Sequence, residues 1–517
     1  MTARTLTLRG ATYPLVLPTV RDPRLHVAAV IISVHVLGQV GLGFRVSVLQ
    51  ILAAMVTCAV LEVALTFRQS RAIVWPASAM LTGSGVALIL RVVGTPPNQP
   101  WSVDGWYVFA AVAGLSLLTK YVIKYRGTHV FNPSNIGLVV AFIVLGSSRV
   151  EPLDFWWAPL NVWMLAAYAV IGVGGLLITR RLKLLALAAS FWLTLAAGIG
   201  LLAASGHCMT ANWAFAPVCG TDFWRVIVAS PEVMIFLFFM ITDPKTVPVG
   251  QVGRVVFGVL VGITSVLLMA PQTDEFGTKV ALLAGLVVVC AARPLVDRVV
   301  PQPGSEADVL RRWASVAGPL RGWKRPVAGG LAAVLVGVAV FVAGTPARGT
   351  VMPNAAETLN RPLPAVDPST LPPITVEQEV VDFDHELAGH GMQQVVISLA
   401  QNLELENVAL LERDGSLLTA IDHGDRLVEM QARLQRAAGG TTVEHFSFDR
   451  ISVGLLVPFG RQDGLSLGLR SEGTKVQQRY DASGALLATD ESPFTLTFAM
   501  RRATGSRWML VAVLPPG

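Results

Sequence analysis

Apolar runs of roughly 18 to 22 residues, each with few charges, follow one another through this chain from about residue 26 to residue 345. They fall near 26–44, 46–66, 73–92, 104–123, 130–147, 157–179, 184–204, 223–242, 254–270, 278–296 and 326–345. A segment of that length and polarity is stable only when its backbone is satisfied internally in lipid, so the fold class expected is a polytopic α-helical membrane protein of about 10 to 11 transmembrane helices. A composition of 53% hydrophobic and 14% charged residues over 517 positions excludes an ordinary soluble enzyme. The first apolar run begins after Arg21 and Arg24 and leads directly into further spans, which reads as an anchor and not as a cleaved signal.

Two of these runs are interrupted. Gly127-Thr128-His129-Val130-Phe131-Asn132-Pro133-Ser134-Asn135 places helix breakers and amides at the head of the fifth run, and Thr242-Asp243-Pro244-Lys245-Thr246 ends the eighth. Interrupted backbone at membrane depth must line a cavity or a ligand, so one break in each half predicts a site built between two inverted halves. Asn132 and Asn135 offer amides three residues apart. Lys245 offers a cation for an anionic ring or a phosphate. A plainer role for Asn132 and Asp243, capping the neighbouring helices beside Pro133 and Pro244, stays open at this level.

The net charge of +6 would suggest nucleic acid in a soluble protein, but the basic residues sit in alternate short loops and orient the chain in a lipid bilayer instead; no nucleic-acid partner is expected. Arg4, Arg9, Arg21, Arg24, Arg68, Arg71, Lys120, Lys124, Arg126, Arg180, Arg181, Lys183, Lys245, Arg254, Arg311, Arg312, Arg321, Lys324 and Arg325 all fall on one side by this count. A cell (inner) membrane protein with a cytoplasmic N-terminus (1–25) and an extracytoplasmic C-terminal domain follows. Cys208 and Cys219 lie in a loop assigned to the outside, where an oxidising compartment makes them a disulfide candidate, with geometry to decide. Cys58 and Cys290 read as apolar packing residues.

After the membrane domain (26–345), Pro346, Pro353, Pro362, Pro364, Pro368, Pro372 and Pro373 mark a linker over 346–374, and 375–517 reads as a soluble α+β domain. Helical patterns come first, with a helix start at Asp422 to Asp425, and alternating strands follow from 441 to 515. That order resembles the cone-shaped fold of nuclear transport factor 2-like domains. His385 and His390 lie five apart and share no helix face, so no metal site is expected. The domain's expected role is to dock a secreted or periplasmic protein.

Ser78-Ala79-Met80-Leu81-Thr82-Gly83, Pro96-Pro97, Pro100-Trp101, Phe131-Asn132-Pro133-Ser134-Asn135-Ile136-Gly137 and Met240-Ile241-Thr242-Asp243-Pro244, in that order over about residues 70–300, resemble the D subunit of the Rnf electron-transport complex and the B subunit of the sodium-pumping NADH:quinone reductase. Lys124-Tyr125-Arg126-Gly127, Arg149 to Trp157 and Asp243-Pro244-Lys245-Thr246 look more narrowly like the UnbU-type proteins associated with enediyne biosynthesis. The resemblance implies a flavin-holding membrane subunit that passes electrons from a cytoplasmic donor. It also implies a Ser-Gly-Ala-Thr sequence carrying covalent FMN, which is missing; the nearest text, Ser483-Gly484-Ala485-Leu486, lacks the hydroxyl. The flavin expected, FMN or riboflavin, is therefore non-covalent, held by Ser78, Thr82, Gly127, Thr128, Phe131, Asn132, Asn135, Thr242, Asp243 and Lys245.

Two other readings fit inverted halves and a tail: a secondary transporter or channel with its site between repeats, and a membrane scaffold for a secreted partner. Haem between His35 and His129 is a fourth, weakened because no histidine pair at helical spacing recurs in a second helix.

Overall fold

In the computed structural model the described residues are 2–8, 11–93, 95, 99–147, 149–153, 162–211, 214–299, 324–345, 359, 362–456, 465–502 and 507–515. The stretch Asp154 to Trp157, the Pro96-Pro97 pair, most of the linker and its prolines up to Pro353, and Arg311, Arg312 and Arg321 lie outside them. The chain divides into two units, Met1–Cys208 with Cys219–Gly349, and Met209–Val218 with Thr350–Gly517.

The first unit opens on a hairpin, β1 (Thr2–Leu8) and β2 (Ala11–Leu17), joined in parallel by β3 (Ile73–Val74), and the other two-residue strands among the described residues are β5 (Lys124–Tyr125), β6 (Thr128–His129), β8 (Cys208–Met209) and β9 (Val218–Cys219). Its helices are α1 (Pro23–Val40), α2 (Val48–Ser70), α3 (Ala77–Ile89), α4 (Trp106–Val122), α5 (Pro133–Leu145), α6 (Val162–Arg181), α7 (Leu185–Ala204), α8 (Gly220–Val228), α9 (Pro231–Ile235), α10 (Gln251–Met269), α11 (Glu275–Ala291), α12 (Arg293–Val299) and α13 (Lys324–Ala343). Six segments among the described residues are long and apolar enough to cross a membrane: α1, α2, α6, α7, the run Gly220–Met240 and α10. The chain is thus a polytopic membrane protein, and six of its eleven apolar runs meet that length among the described residues. At 13 residues each, α3 and α5 reach only about 20 Å along their axes, short of a hydrocarbon core of about 30 Å.

A short strand after each of these helices makes up for the missing length. β4 (Leu90–Val92) continues α3, β7 (Val150–Pro152) comes after α5, and the two strands pair antiparallel, so backbone that lipid would leave unbonded is closed on itself. Leu90, Arg91, Val150 and Glu151 are buried there. Packing order recurs in the two parts of the unit: α2 lies on α3 and α4, and α4 on α5; α7 lies on α8 and α10, and α10 on α11. Small residues allow the approach. A Cβ on Gly83 of α3 would sit 2.5 Å from the Ala54 carbonyl oxygen, and one on Gly258 of α10 would sit 2.6 Å from that of Leu187. Cys208 and Cys219 are joined in a disulfide, with Cα atoms 4.3 Å apart.

The second unit is α+β. Helices α14 (Gln378–Phe383), α15 (His390–Glu412), α16 (Gly415–Ile421) and α17 (Gly424–Arg436) precede the long strands β11 (Thr441–Leu456), β12 (Ser466–Tyr480), β13 (Leu486–Arg502) and β14 (Trp508–Leu514). Those strands form an antiparallel meander, and the short β10 (Ile374–Val376) adds in parallel to the β11 edge. Register shifts at Phe448/Arg450, Arg479/Tyr480 and Ala499/Met500 mark bulges, which bend strands of this length. The core packs Val395, Leu399 and Leu403 of α15 against Ile451, Leu467, Phe498 and Leu510 of the sheet. Phe215, from the segment between the bridged cysteines, is 6% exposed within that core; its ring lies 5.5 Å from Trp508 and 5.0 Å from Phe383, and its carbonyl accepts the Arg502 N–H at 2.9 Å.

Candidate functional site

Helix ends converge in the first unit. α5 starts at Asn132 because that side chain accepts the Asn135 N–H at 3.3 Å while Pro133 occupies the first turn, where no donor is needed. From the other side, α9 runs into a π-helical turn, Phe236–Met240, closed by Ile241 N–H on the Phe236 carbonyl. The Asn132 amide donates to the Met240 carbonyl at 3.1 Å and so satisfies an acceptor at the end of that turn. Asn132 is therefore both a cap and the tie between the two breaks.

Beside this tie lies a cavity of about 540 Å³, within the range of small-molecule and cofactor sites. Apolar walls come from Ile31, Leu81, Leu88, Ile178, Phe238 and Phe239. Polar groups also line it: Ser78 and Thr82 on α3, His129 and Asn132 before α5, and Thr242, Asp243 and Lys245 after the π turn. His129 Nε2 lies 3.0 Å from Asp243 Oδ2, the side chains being 8% and 19% exposed. The other Asp243 oxygen accepts the Lys245 N–H at 3.1 Å, fixing the carboxylate. Thr242 donates its hydroxyl to the Phe238 carbonyl and Thr82 donates to that of Ser78. Lys120 also lines the cavity, held by the Glu62 carboxylate at 2.9 and 3.1 Å with the Ser78 hydroxyl 3.4 Å away; the Tyr121 hydroxyl donates to the same carboxylate. Arg24 pairs with Asp22 at 2.6 Å, and both line the cavity.

Six of the ten residues expected to hold flavin therefore line one cavity: Ser78, Thr82, Asn132, Thr242, Asp243 and Lys245. Four do not line it. Gly127, at φ +79, and Thr128 form the turn and second strand of a hairpin (Lys124–Tyr125 with Thr128–His129), and Phe131 is half-buried beyond it. Asn135 is buried against α11, where its amide donates to the Leu283 carbonyl at 3.0 Å. His35 bonds the Ser84 hydroxyl at 3.2 Å. Lys120, His129 and the Asp22–Arg24 pair join the cavity, although sequence pattern assigns them no flavin contact. Their signal is available only as charges near helix ends, since Glu62 and Lys120 are 58 positions apart.

The lining suits a flat heteroaromatic ring with an anionic arm. Apolar walls could sandwich its faces, Asn132 and Thr242 could face a polar edge, and Lys245, exposed and without an ion-pair partner among the described residues, could face an anionic group.

No protein-family model matches the chain. Curated relatives do. The D subunit of an ion-translocating oxidoreductase complex from Klebsiella pneumoniae (strain 342) is 25% identical over 320 residues, covering 48% of this chain and 85% of that protein. Proteins of the same name from Citrobacter koseri and Escherichia fergusonii are 26% and 24% identical over 278 and 288 residues, each covering 43% of this chain and 75% of theirs. Over somewhat less than half of its length, the chain is a distant relative of these D subunits.

Proposed function

We propose that the protein is a flavin-binding subunit of a membrane electron-transport complex, holding FMN or riboflavin non-covalently in the cavity between its two helix breaks. The carrying observation is the Asn132–Met240 tie, which brings the two interrupted segments to one cavity lined by Asp243 and Lys245. Kinship with the D subunits of ion-translocating oxidoreductase complexes supports a redox assembly. A bound flavin supplies the electron-carrying chemistry. Asn132 and Thr242 orient its edge, the Phe238 and Phe239 wall excludes lipid, and Lys245 offsets its negative charge.

The recurring packing order supports two inverted halves, and the cationic loops support a cytoplasmic cavity mouth with an outside tail. The tail's helices followed by a bent meander fit a cone-shaped domain that docks an extracytoplasmic partner. Service to enediyne-type secondary metabolism rests on Lys124 to Gly127, Arg149 to Trp157 and Asp243 to Thr246. The test of function is an absorption spectrum of the full chain purified from flavin-replete membranes. Flavin bands support the redox reading, whereas a colourless protein with substrate-dependent flux in vesicles favours a transporter.

A further inference from the structure

We infer that His129, oriented by Asp243, is the cavity's charge-compensating proton site: it takes up one proton when the occupant gains negative charge. The inference rests on the flavin reading and assigns a residue to it. Asp243 as a carboxylate only accepts, so the hydrogen in the 3.0 Å contact belongs to His129 Nε2, which leaves Nδ1 as the basic atom of the neutral ring. Lys245 N–H holds Asp243 in place for this.

The other charges around the cavity already have partners, Lys245 excepted. Asp22 faces Arg24 from α1, and Glu62 of α2 faces Lys120 of α4, with Tyr121 on the same carboxylate. On the side of α12, Asp297 lies 3.6 Å from Arg126 and 3.8 Å from Arg293, while Arg293 donates to the Lys245 carbonyl. Lys124, on the hairpin, lies over the Tyr121 ring at 5.9 Å. Lys245 is a fixed cation. Among these side-chain types, imidazole is the one whose chemistry lets it bind or release a proton under physiological conditions. An anion forming in a cavity with apolar walls is stabilised by a proton bound close by, and the Asp243 carboxylate is placed to stabilise the resulting imidazolium at Nε2.

A low-potential donor supplies two electrons, one proton goes to the ligand, and His129 Nδ1 binds the second, its Nε2–H remaining on Asp243. In the test, dithionite with soluble mediators replaces the donor, and the flavin midpoint potential of the full chain in detergent is measured from pH 7 to 8.5. Each proton per electron pair contributes about 30 mV per pH unit. Wild type should fall by about 59 mV per unit, and His129→Gln by about 30 mV per unit with flavin still bound. Asp243→Asn, which keeps the shape but removes the charge, should move the change of slope to lower pH. If His129→Gln loses its flavin, Asp243→Asn decides alone. Flavin bound with the wild-type slope in both variants would overturn the proton site while leaving the flavin reading intact. Protein that never carries flavin overturns both.

Discussion

Asn132 shows how one side chain serves structure and site together. As a cap it starts α5, and as a donor it holds the π turn, so the plain capping role and the binding role are one geometry. In the second unit, Asp422 makes the opposite point. It is fully buried, with neither carboxyl oxygen bonded to a donor among the described residues, next to the Glu406–Arg426 pair at 2.6 Å. Burial pushes its carboxyl well above the usual carboxylate range, the Glu406 charge adds to this, and Arg426 opposes it. A raised folded value means the protonated form is favoured in the fold, so this contribution is whole below the unfolded value near 4 and is lost as pH rises through the folded one. The tail's stability, followed in the full chain by hydrogen exchange of the 375–515 peptides, should therefore fall with rising pH, and Asp422→Asn should flatten the dependence. An unchanged slope in that variant would place the titrating group elsewhere.

Elements are legible where their periodicity stands alone and are misread where tertiary closure replaces length. Apolar runs near 73–92 and 130–147 read as spans, yet the helices end at Ile89 and Leu145 because β4 and β7 pair across the interior, a long-range contact that no local pattern announces. The expected helix start at Asp422 to Asp425 is close: α17 begins at Gly424, with His423 as its N-cap residue. Both breaks are readable from their prolines and amides; their meeting is not, since Asn132 and Met240 are 108 positions apart. From sequence, the segment between the bridged cysteines reads only as a disulfide loop, although Phe215 belongs to the tail core. Removing that ring leaves a cavity, so Phe215→Ala should destabilise the second unit by about 3 to 5 kcal/mol. Limited proteolysis of the full chain should then cut the tail at lower temperature than in wild type, and equal resistance would show that the core closes without Phe215.

At the scale of the whole molecule, a helical membrane unit with interrupted helices carries a ligand-sized cavity, and an α+β unit is built from Met209–Val218 and the chain from Thr350 onward. The membrane class, the two breaks and most cavity residues are visible in sequence pattern, whereas the places of His129 and Lys120 and the release of Asn135 to α11 come from packing. The central claim is non-covalent flavin at the meeting of the breaks, and flavin stoichiometry before and after denaturation tests it most directly. Native wild-type protein should carry flavin that heating or acid releases completely, with no fluorescent band on a denaturing gel. Asn132→Leu, which removes the tie to the Met240 carbonyl that brings the two breaks together, should lower flavin affinity roughly ten- to a hundredfold, the loss expected of one polar contact of about 1 to 3 kcal/mol. Flavin that stays with the denatured chain, or native protein that holds none, would contradict the account.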